Sequence, residues 1–124
     1  MDPKLIDPTS HLPLTPAVFH ILLALSESEQ HGYAIMRSVT TSTDGVVRMG
    51  PGTLYGTIKR LLEAGWIESC DERPDPELDD ERRRYYRLTG YGRRVAEAEA
   101  QRYRAIVREA RSKGLLTGPA TGTA

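Results

Sequence analysis

The sequence contains little cysteine, no long apolar run and no excess of one charge. Its single cysteine, Cys70, excludes a disulfide within the chain and is typical of a protein in a reducing cytoplasm. The residues before Leu14 show no basic segment followed by an apolar one, so we expect no secretory signal. The longest apolar run, 21–25, is far shorter than the roughly 20 residues that cross a bilayer. We therefore expect a cytoplasmic protein that is not inserted in a membrane.

The size and charge of the chain narrow the class of protein further. Its 124 residues leave room for one domain, because domains usually comprise about 100–200 residues. Lys and Arg number 17, and Asp and Glu also number 17, which argues against a generally cationic coat protein for nucleic acid. A locally basic surface remains compatible with zero net charge. Cysteine and histidine show no metal-ligand spacing, and no nucleophile–base pair is recognisable, so we predict no metal, no cofactor and no enzymatic activity.

Proline, glycine and apolar spacing predict the helices. Thr15 followed by Pro16 is typical of a helix start, and an apolar stripe with helical spacing follows. Gly32 opens a second helix. Pro51 and Gly65 delimit a third helix, whose apolar residues recur at i, i+4, i+7 and i+8. A final helix covers about residues 91–112.

Alternating residues predict strands at 66–70 and 85–88, and β-favouring residues at 46–49 indicate a very short further strand. On the second of these strands we expect Tyr86 to face the core and Tyr85 to be partly exposed. The order helix, helix, helix, hairpin, long helix predicts a mainly α fold with a small β-hairpin, the winged helix-turn-helix. Its expected parts are a flexible N-terminal arm (1–13), a winged helix-turn-helix DNA-binding domain (14–90), a C-terminal dimerisation helix (91–113) and a disordered tail (114–124).

Charge is distributed in blocks around the predicted hairpin. Residues 71–81 carry seven acids and one base, whereas residues 82–94 carry six arginines and no acid. Arginine suits phosphate because its planar group donates two parallel hydrogen bonds. The second block predicts a basic patch in which Arg82, Arg83 and Arg84 contact DNA phosphates. In the alternative interpretation, these arginines pair with the acidic residues that precede them.

The third helix has a polar side opposite its apolar stripe. The residues expected to face outward there are Thr53, Tyr55, Gly56, Thr57, Lys59 and Arg60. Hydroxyl groups can contact phosphates or base edges, and cations can neutralise phosphates. Gly52 and Gly56 would allow a close approach to the helix backbone. This pattern alone also fits an ordinary surface helix, but beside a basic hairpin it predicts binding to double-stranded DNA.

The final helix is longer than a body of this size requires. About 22 residues rising about 1.5 Å each give roughly 33 Å, so the end of the helix should extend beyond the domain. Its apolar residues would then be exposed unless a second chain covers them, which predicts a homodimer with recognition helices about one DNA turn apart. The residues that we assign to the dimer interface are Val95, Tyr103, Ile106 and Val107. A helix that folds back on its own domain is the alternative.

Three blocks of residues carry a resemblance to a known family. They are His31–Met36 (HGYAIM), Gly52–Tyr55 (GTLY) with Arg60-Leu61 and Gly65–Glu68, and Arg84–Thr89 (RYYRLT) with Gly92. In this order and spacing, over roughly residues 12–94, the sequence resembles the PadR family of bacterial transcriptional regulators. Its single C-terminal helix is similar to that of the short members, which dimerise through that helix.

The resemblance implies a winged-helix dimer that represses transcription at palindromic operators and, in some members, is released by a small-molecule effector. It implies that Tyr33 contacts a backbone phosphate and that the arginines around Arg84 support the wing. It also implies that Thr53, Tyr55 and Lys59 lie in or beside the major groove. The alternative hypothesis is a winged-helix module that binds another protein or a small molecule and has no DNA function.

Overall fold

The computed structural model describes residues 6–74 and 82–118, which form four α-helices and a three-stranded antiparallel sheet. The helices are α1 (Pro16–Glu27), α2 (Gly32–Ser42), α3 (Pro51–Ala64) and α4 (Gly90–Ser112). The strands are β1 (Gln30–His31), β2 (Ile67–Pro74) and β3 (Arg82–Leu88), and a 3-10 turn covers Pro8–His11. Strand β3 lies at the centre of the sheet, between β1 and β2. The predicted mainly α fold with a small hairpin is confirmed.

Local sequence signals determine where the helices begin and end. The Thr15 hydroxyl accepts a hydrogen bond from the Val18 N–H at 3.2 Å and caps the start of α1. The Nδ1 atom of His31 does the same for α2, accepting from the Ala34 N–H at 3.1 Å. Helix α3 ends as predicted at Gly65, whose φ of 80° is readily adopted by glycine.

The third strand of the sheet lies elsewhere than predicted. Residues 46–49 form no strand; instead, Gln30 and His31 pair with Tyr86 and Tyr85 of β3. A strand of two residues depends entirely on this pairing, so no local pattern predicts it. Tyr86 faces the core as expected, but Tyr85 is also buried, because the His31 ring packs edge-on against it at 5.3 Å.

The hydrophobic core lies between the helices and one face of the sheet. Its buried side chains from the first three helices are Ile21, Leu22, Leu25, Ile35, Val39, Leu54, Ile58 and Leu61. Ile67 and Tyr86 cover it from the sheet, Trp66 from the turn before β2, and Tyr91 and Val95 from α4. Removing this apolar surface from water is the main force that holds the predicted amphipathic helices together.

The segment before α1 packs on the domain. The turn at Pro8–His11 lies against α4, where His11 Nε2 is 2.7 Å from the Tyr91 hydroxyl. The His11 ring also lies 4.9 Å from that of Trp66. The expected extended arm is therefore corrected to a packed segment for residues 6–13, while residues 1–5 lie outside the described part of the chain.

Helix α4 begins in close contact with the end of α3. The Thr89 hydroxyl donates to the Gly65 carbonyl at 2.7 Å, and the Thr89 N–H donates to the Trp66 carbonyl at 3.1 Å. A Cβ at Gly92 would lie 1.8 Å from the Trp66 carbonyl oxygen, so no larger residue fits there. These contacts fix the start of α4 relative to α3. Of the predicted C-terminal tail, residues 119–124 lie outside the described residues.

Candidate nucleic-acid interface

The outer face of α3 is polar, exposed and partly bare of side chains. We define this outer face as Gly52, Thr53, Tyr55, Gly56, Lys59 and Arg60. At 3.6 residues per turn, Thr53 and Arg60 lie along one edge of it, and Tyr55 and Lys59 lie along the other. Gly52 and Gly56 lie between these edges, and a Cβ built at either glycine would have no other part of the described chain within 4 Å. Another molecule can therefore approach the helix backbone between two rows of hydrogen-bonding side chains.

Thr57 does not belong to this outer face, which corrects the sequence interpretation. It is buried, and its hydroxyl donates to the Thr53 carbonyl at 2.8 Å. The same hydroxyl accepts a hydrogen bond from the Arg60 guanidinium at 3.2 Å. Thr57 therefore holds Arg60 close to the helix instead of contacting a partner itself.

The start of α2 adds a second exposed aromatic and a cation to the surface. Tyr33 is exposed, as its predicted phosphate contact requires, and its ring stacks on that of His31 at 6.4 Å. The Arg37 guanidinium lies 5.1 Å above the Tyr33 ring, close enough for a cation–π interaction. Sequence reasoning missed Arg37, although its i+4 spacing from Tyr33 on a predicted helix was a usable signal.

Tyr55 connects the outer face of α3 to α2 and β3. Its hydroxyl end rests on the backbone of Gly32, and its ring remains about half exposed. Burial raises the pKa of the Tyr86 hydroxyl above 10.0; Arg84 opposes this pKa shift and Tyr55 adds to it. Tyr55 of α3 and Arg84 of β3 thus both act electrostatically on the buried Tyr86 hydroxyl.

The predicted arginine patch is only partly formed. Arg87 bridges Glu68 at 3.4 Å and Glu29 at 3.5 Å, and Glu68 is the main cause of the raised pKa of Arg87. Arg93 donates to the Ser26 carbonyl at 3.4 Å, and Arg94 lies 5.6 Å above the Tyr91 ring. Three of the six arginines are thus engaged within the chain, and the prediction of a single basic patch is corrected to that extent.

Of the three arginines assigned to phosphate contacts, Arg84 is best placed. It is exposed and forms a 3.5 Å ion pair with Glu72, which follows the alternative interpretation of pairing with the acidic block. Such exposed pairs contribute little to stability, so a phosphate can replace the carboxylate. Arg83 is half-buried on β3, and the side chain of Arg82 lies outside the described part of the structure.

The residues assigned to dimerisation divide into two groups. Val95 is fully buried within its own chain, so its assignment to the interface with a second chain is wrong. Tyr103, Ile106 and Val107, which we call the α4 apolar patch, are 38%, 44% and 44% exposed. Their i, i+3, i+4 spacing places them on one side of the helix. The Tyr103 ring also stacks on Phe19 of α1 at 5.2 Å, which joins the patch to α1.

A buried carboxylate marks the boundary between these two groups. Glu99 is fully buried, and it accepts hydrogen bonds from Arg102 Nη2 at 3.1 Å and from the Leu14 N–H at 2.8 Å. The pKa of Glu99 is lowered, mainly by the hydrogen bond from Arg102. Burial raises this pKa, and the hydrogen bond from the Leu14 N–H lowers it further. Glu99 therefore ties α4 to the segment before α1, immediately before the helix becomes exposed.

A cleft of about 580 Å³ lies between α1 and α2, and its lining includes no residue of α3. Its lining includes Leu23 and Ala24, with His20, Glu27 and Arg37 as titratable groups. Within residues 6–74 and 82–118, no helix is long and apolar enough to cross a membrane. The same residues bring together no cluster of three His, Cys, Asp or Glu side chains that could hold a metal ion.

Solved structures of regulators share this fold. A PadR family regulator from Clostridium difficile has a TM-score of 0.64 at 23% identity, covering 79% of this chain and 97% of that one. Bacillus subtilis PadR, solved in complex with operator DNA, has a TM-score of 0.54 at 19% identity, covering 90% of this chain and 52% of that one. The fold is therefore that of winged-helix regulators with a C-terminal helix.

The family is shown by the sequence match. The model of the transcriptional regulator PadR-like family matches residues 21–98, which include α2, α3, the hairpin and the buried half of α4. The chain belongs to this family of transcriptional regulators, which are not enzymes. A curated relative, an uncharacterised 37.1 kDa protein in a transposon of Streptomyces fradiae, is 34% identical over 80 residues. The match covers 64% of this chain and about a fifth (21%) of that relative.

Proposed function

We propose that the chain is a sequence-specific DNA-binding repressor that places α3 in the major groove of a palindromic operator. The observation that carries this proposal is the outer face of α3. Thr53, Lys59 and Arg60 stand exposed there beside two glycines whose surroundings within the described chain are open. Side chains of these types contact base edges and phosphates, and bare glycines let a groove wall come close. Bacillus subtilis PadR, which shares the fold, was solved in complex with operator DNA, and this supports DNA as the partner of the present chain.

Two further surfaces flank α3 in this proposal. Tyr33, with Arg37 above its ring, would contact the phosphate backbone on the α2 side. Arg84 would exchange its exposed pairing with Glu72 for a phosphate on the wing side. The assignments of Arg82 and Arg83 to phosphate contacts remain part of the proposal.

The direct test is selection of bound duplexes from a random DNA pool, using the full chain. We expect the recovered sequences to share an inverted repeat with half-sites about one helical turn apart, because a dimer with two-fold symmetry reads two copies of one site. A recovered pool with no shared sequence would contradict the proposal and favour the winged-helix module without DNA function.

The repressor would act as a homodimer through the α4 apolar patch. Tyr103, Ile106 and Val107 expose apolar area on the second half of a 23-residue helix whose first half buries Tyr91, Val95 and Glu99 in its own chain. An apolar surface of this kind is stable in water when a second chain covers it. We place the partner's α4 against this patch, because a symmetric interface joins the same surface of two chains.

A small-molecule effector, implied by resemblance for some family members, would have the α1–α2 cleft as its candidate site. The cleft is lined by apolar Leu23 and Ala24, the cation of Arg37 and the carboxylate of Glu27, so Arg37 could bind an aromatic acid and Glu27 a cationic drug. Unfolding midpoints measured across a panel of aromatic acids and cationic drugs would test this. A midpoint that no compound raises would contradict the effector proposal and leave DNA binding unaffected.

A further inference from the structure

Gly32 lies directly beneath a proposed DNA-contacting side chain. A Cβ at this position would lie 2.5 Å from the Tyr55 hydroxyl oxygen and 2.7 Å from the Cε1 and Cζ atoms of its ring. Real Cβ atoms essentially never come closer than 3.0 Å to such atoms. The Tyr55 ring therefore rests against the backbone of Gly32, and any side chain at Gly32 would push the ring away.

Neither the backbone nor the helix explains why residue 32 is glycine. Gly32 begins α2 and is not among the described glycines with positive φ, so its conformation is open to other residues. Gly90 stands at the equivalent first position of α4, also directly after a capping residue. No other part of the described chain lies within 4 Å of a Cβ built at Gly90. The contact with Tyr55 is what distinguishes the two positions.

The contact fixes the place of the Tyr55 hydroxyl. Tyr55 extends from α3 to Gly32, the first residue of α2, which directly precedes Tyr33 in the chain. About half of Tyr55 is exposed to solvent on the outer face of α3, so a ring displaced from Gly32 has open space beside that face. That space is the one that DNA would occupy, and displacement of a contact group by about 1 Å is enough to weaken its hydrogen bonds severely.

We propose that Gly32 is a positioning residue for DNA binding: its missing side chain seats Tyr55 so that the tyrosine hydroxyl donates to a backbone phosphate. This inference rests on the proposed DNA function. Gly32 itself touches no DNA and acts through Tyr55. The displaced atoms are the far end of a side chain, so Gly32→Ala disturbs the position of Tyr55 and leaves the core intact.

The experiment measures binding to a fluorescent duplex recovered from the random-pool selection. We expect Gly32→Ala to weaken binding at least about tenfold, the effect of losing one charge-assisted hydrogen bond. Tyr55→Ala should weaken it similarly, and adding Gly32→Ala to Tyr55→Ala should cause no further loss. Gly90→Ala, the same change at the equivalent position of α4, should bind like the wild type.

The outcomes separate this inference from the proposed function. If the wild-type chain binds no duplex, the proposed function fails. If the wild type binds and Gly32→Ala binds equally well, or if the two losses multiply in the double variant, the role of Gly32 is refuted. Should Gly32→Ala fail to fold, Tyr55→Phe and Tyr55→Ala are compared instead. Equal losses support the seated hydroxyl, whereas wild-type binding by Tyr55→Phe overturns it.

Discussion

Helices α3 and α4 each leave one side uncovered, but the two exposed surfaces differ in chemistry. The outer face of α3 has hydroxyls, cations and two glycines, whereas the α4 apolar patch consists of Tyr103, Ile106 and Val107. Helix α3 buries its opposite side in the core, whereas the α4 apolar patch continues, further along the helix, the side that buries Tyr91, Val95 and Glu99. Packing within the chain covers neither surface completely, so each must be explained by what it meets outside the chain.

The difference indicates two kinds of partner. A cationic, hydroxyl-bearing surface keeps its hydration when free and can exchange water for phosphate oxygens. An apolar surface gains only by leaving water, so it favours another apolar surface. In a symmetric dimer, joining two α4 patches also determines the distance between two α3 helices, which links the two surfaces in function.

A charge introduced into the α4 apolar patch should have the largest effect, because it tests directly whether this patch joins two chains. In Ile106→Glu, we expect each chain to lose about 2 kcal/mol of apolar burial, hence about 4 kcal/mol per symmetric dimer, or roughly a thousandfold in the dimer dissociation constant. Sedimentation at micromolar concentration should change from dimer to monomer, and operator binding should fall with it.

The control places the same charge on the opposite side of the same helix. Ala105 is exposed and lies about half a turn away from the centre of the patch, so Ala105→Glu should remain dimeric. Equal dissociation by both variants would mean that the patch has no special role, and a monomeric wild type would contradict the dimer itself.

The sequence predicted local features well and contacts between distant residues poorly. Helix α3 was predicted over residues 51–64 because Pro51 and Gly65 are local signals at its two ends. The β1 strand was missed because two residues become a strand only by pairing with β3. Helical spacing correctly placed Val95 on an apolar side of α4. Spacing alone, however, cannot distinguish burial within the same chain from burial against a partner chain.

The candidate site shows the same division. The exposed positions of Thr53, Tyr55, Lys59 and Arg60 followed from the apolar stripe opposite them. Thr57 was misplaced because its polarity indicated solvent, whereas its hydroxyl is satisfied by the Thr53 carbonyl of its own helix. The arginine block was misread because the partners of Arg87 and Arg93 come from α1, its following loop and β2.

The anchored half of α4 gives the next prediction. Glu99→Gln keeps an acceptor for the Leu14 N–H but loses the charge that Arg102 binds, so we expect about 2 kcal/mol lower stability at pH 7 by urea unfolding. The pKa of Glu99 is lowered in the folded state from 4.5, so its stabilisation is present above pH 4.5 and lost as pH falls through the folded value. The difference between the two proteins should therefore shrink in acid.

Glu97→Gln is the matched control, because Glu97 is exposed on the same helix. Glu97→Gln should have the same unfolding free energy as the wild type at pH 7 and at pH 3. A deficit of Glu99→Gln that stays constant from pH 7 to pH 3 would show that the charge of Glu99 does not stabilise the fold and that only its shape matters.

Lys59→Ala tests whether the outer face of α3 contacts phosphates, through the dependence of DNA affinity on salt concentration. Removing one phosphate contact should reduce the slope of log affinity against log salt by about 0.9, hence by about 1.8 for a dimer. Lys113, which pairs with Glu109 at the far end of α4, provides the control, and Lys113→Ala should leave the slope unchanged. Unchanged slopes in both variants would place Lys59 outside the interface.

Gly56→Ala gives the smallest effect and separates the demands of folding from those of binding. Alanine favours a helix interior by about 0.8 kcal/mol over glycine, and the site of the added methyl is open within the described chain, so the unfolding free energy should rise. The same methyl stands between the two edges of the outer face, where a groove wall would approach the backbone, so operator affinity should fall a few-fold. If stability and affinity rose together, glycine at this position would serve neither DNA nor the fold, and the α3 backbone would not be in close contact with the groove.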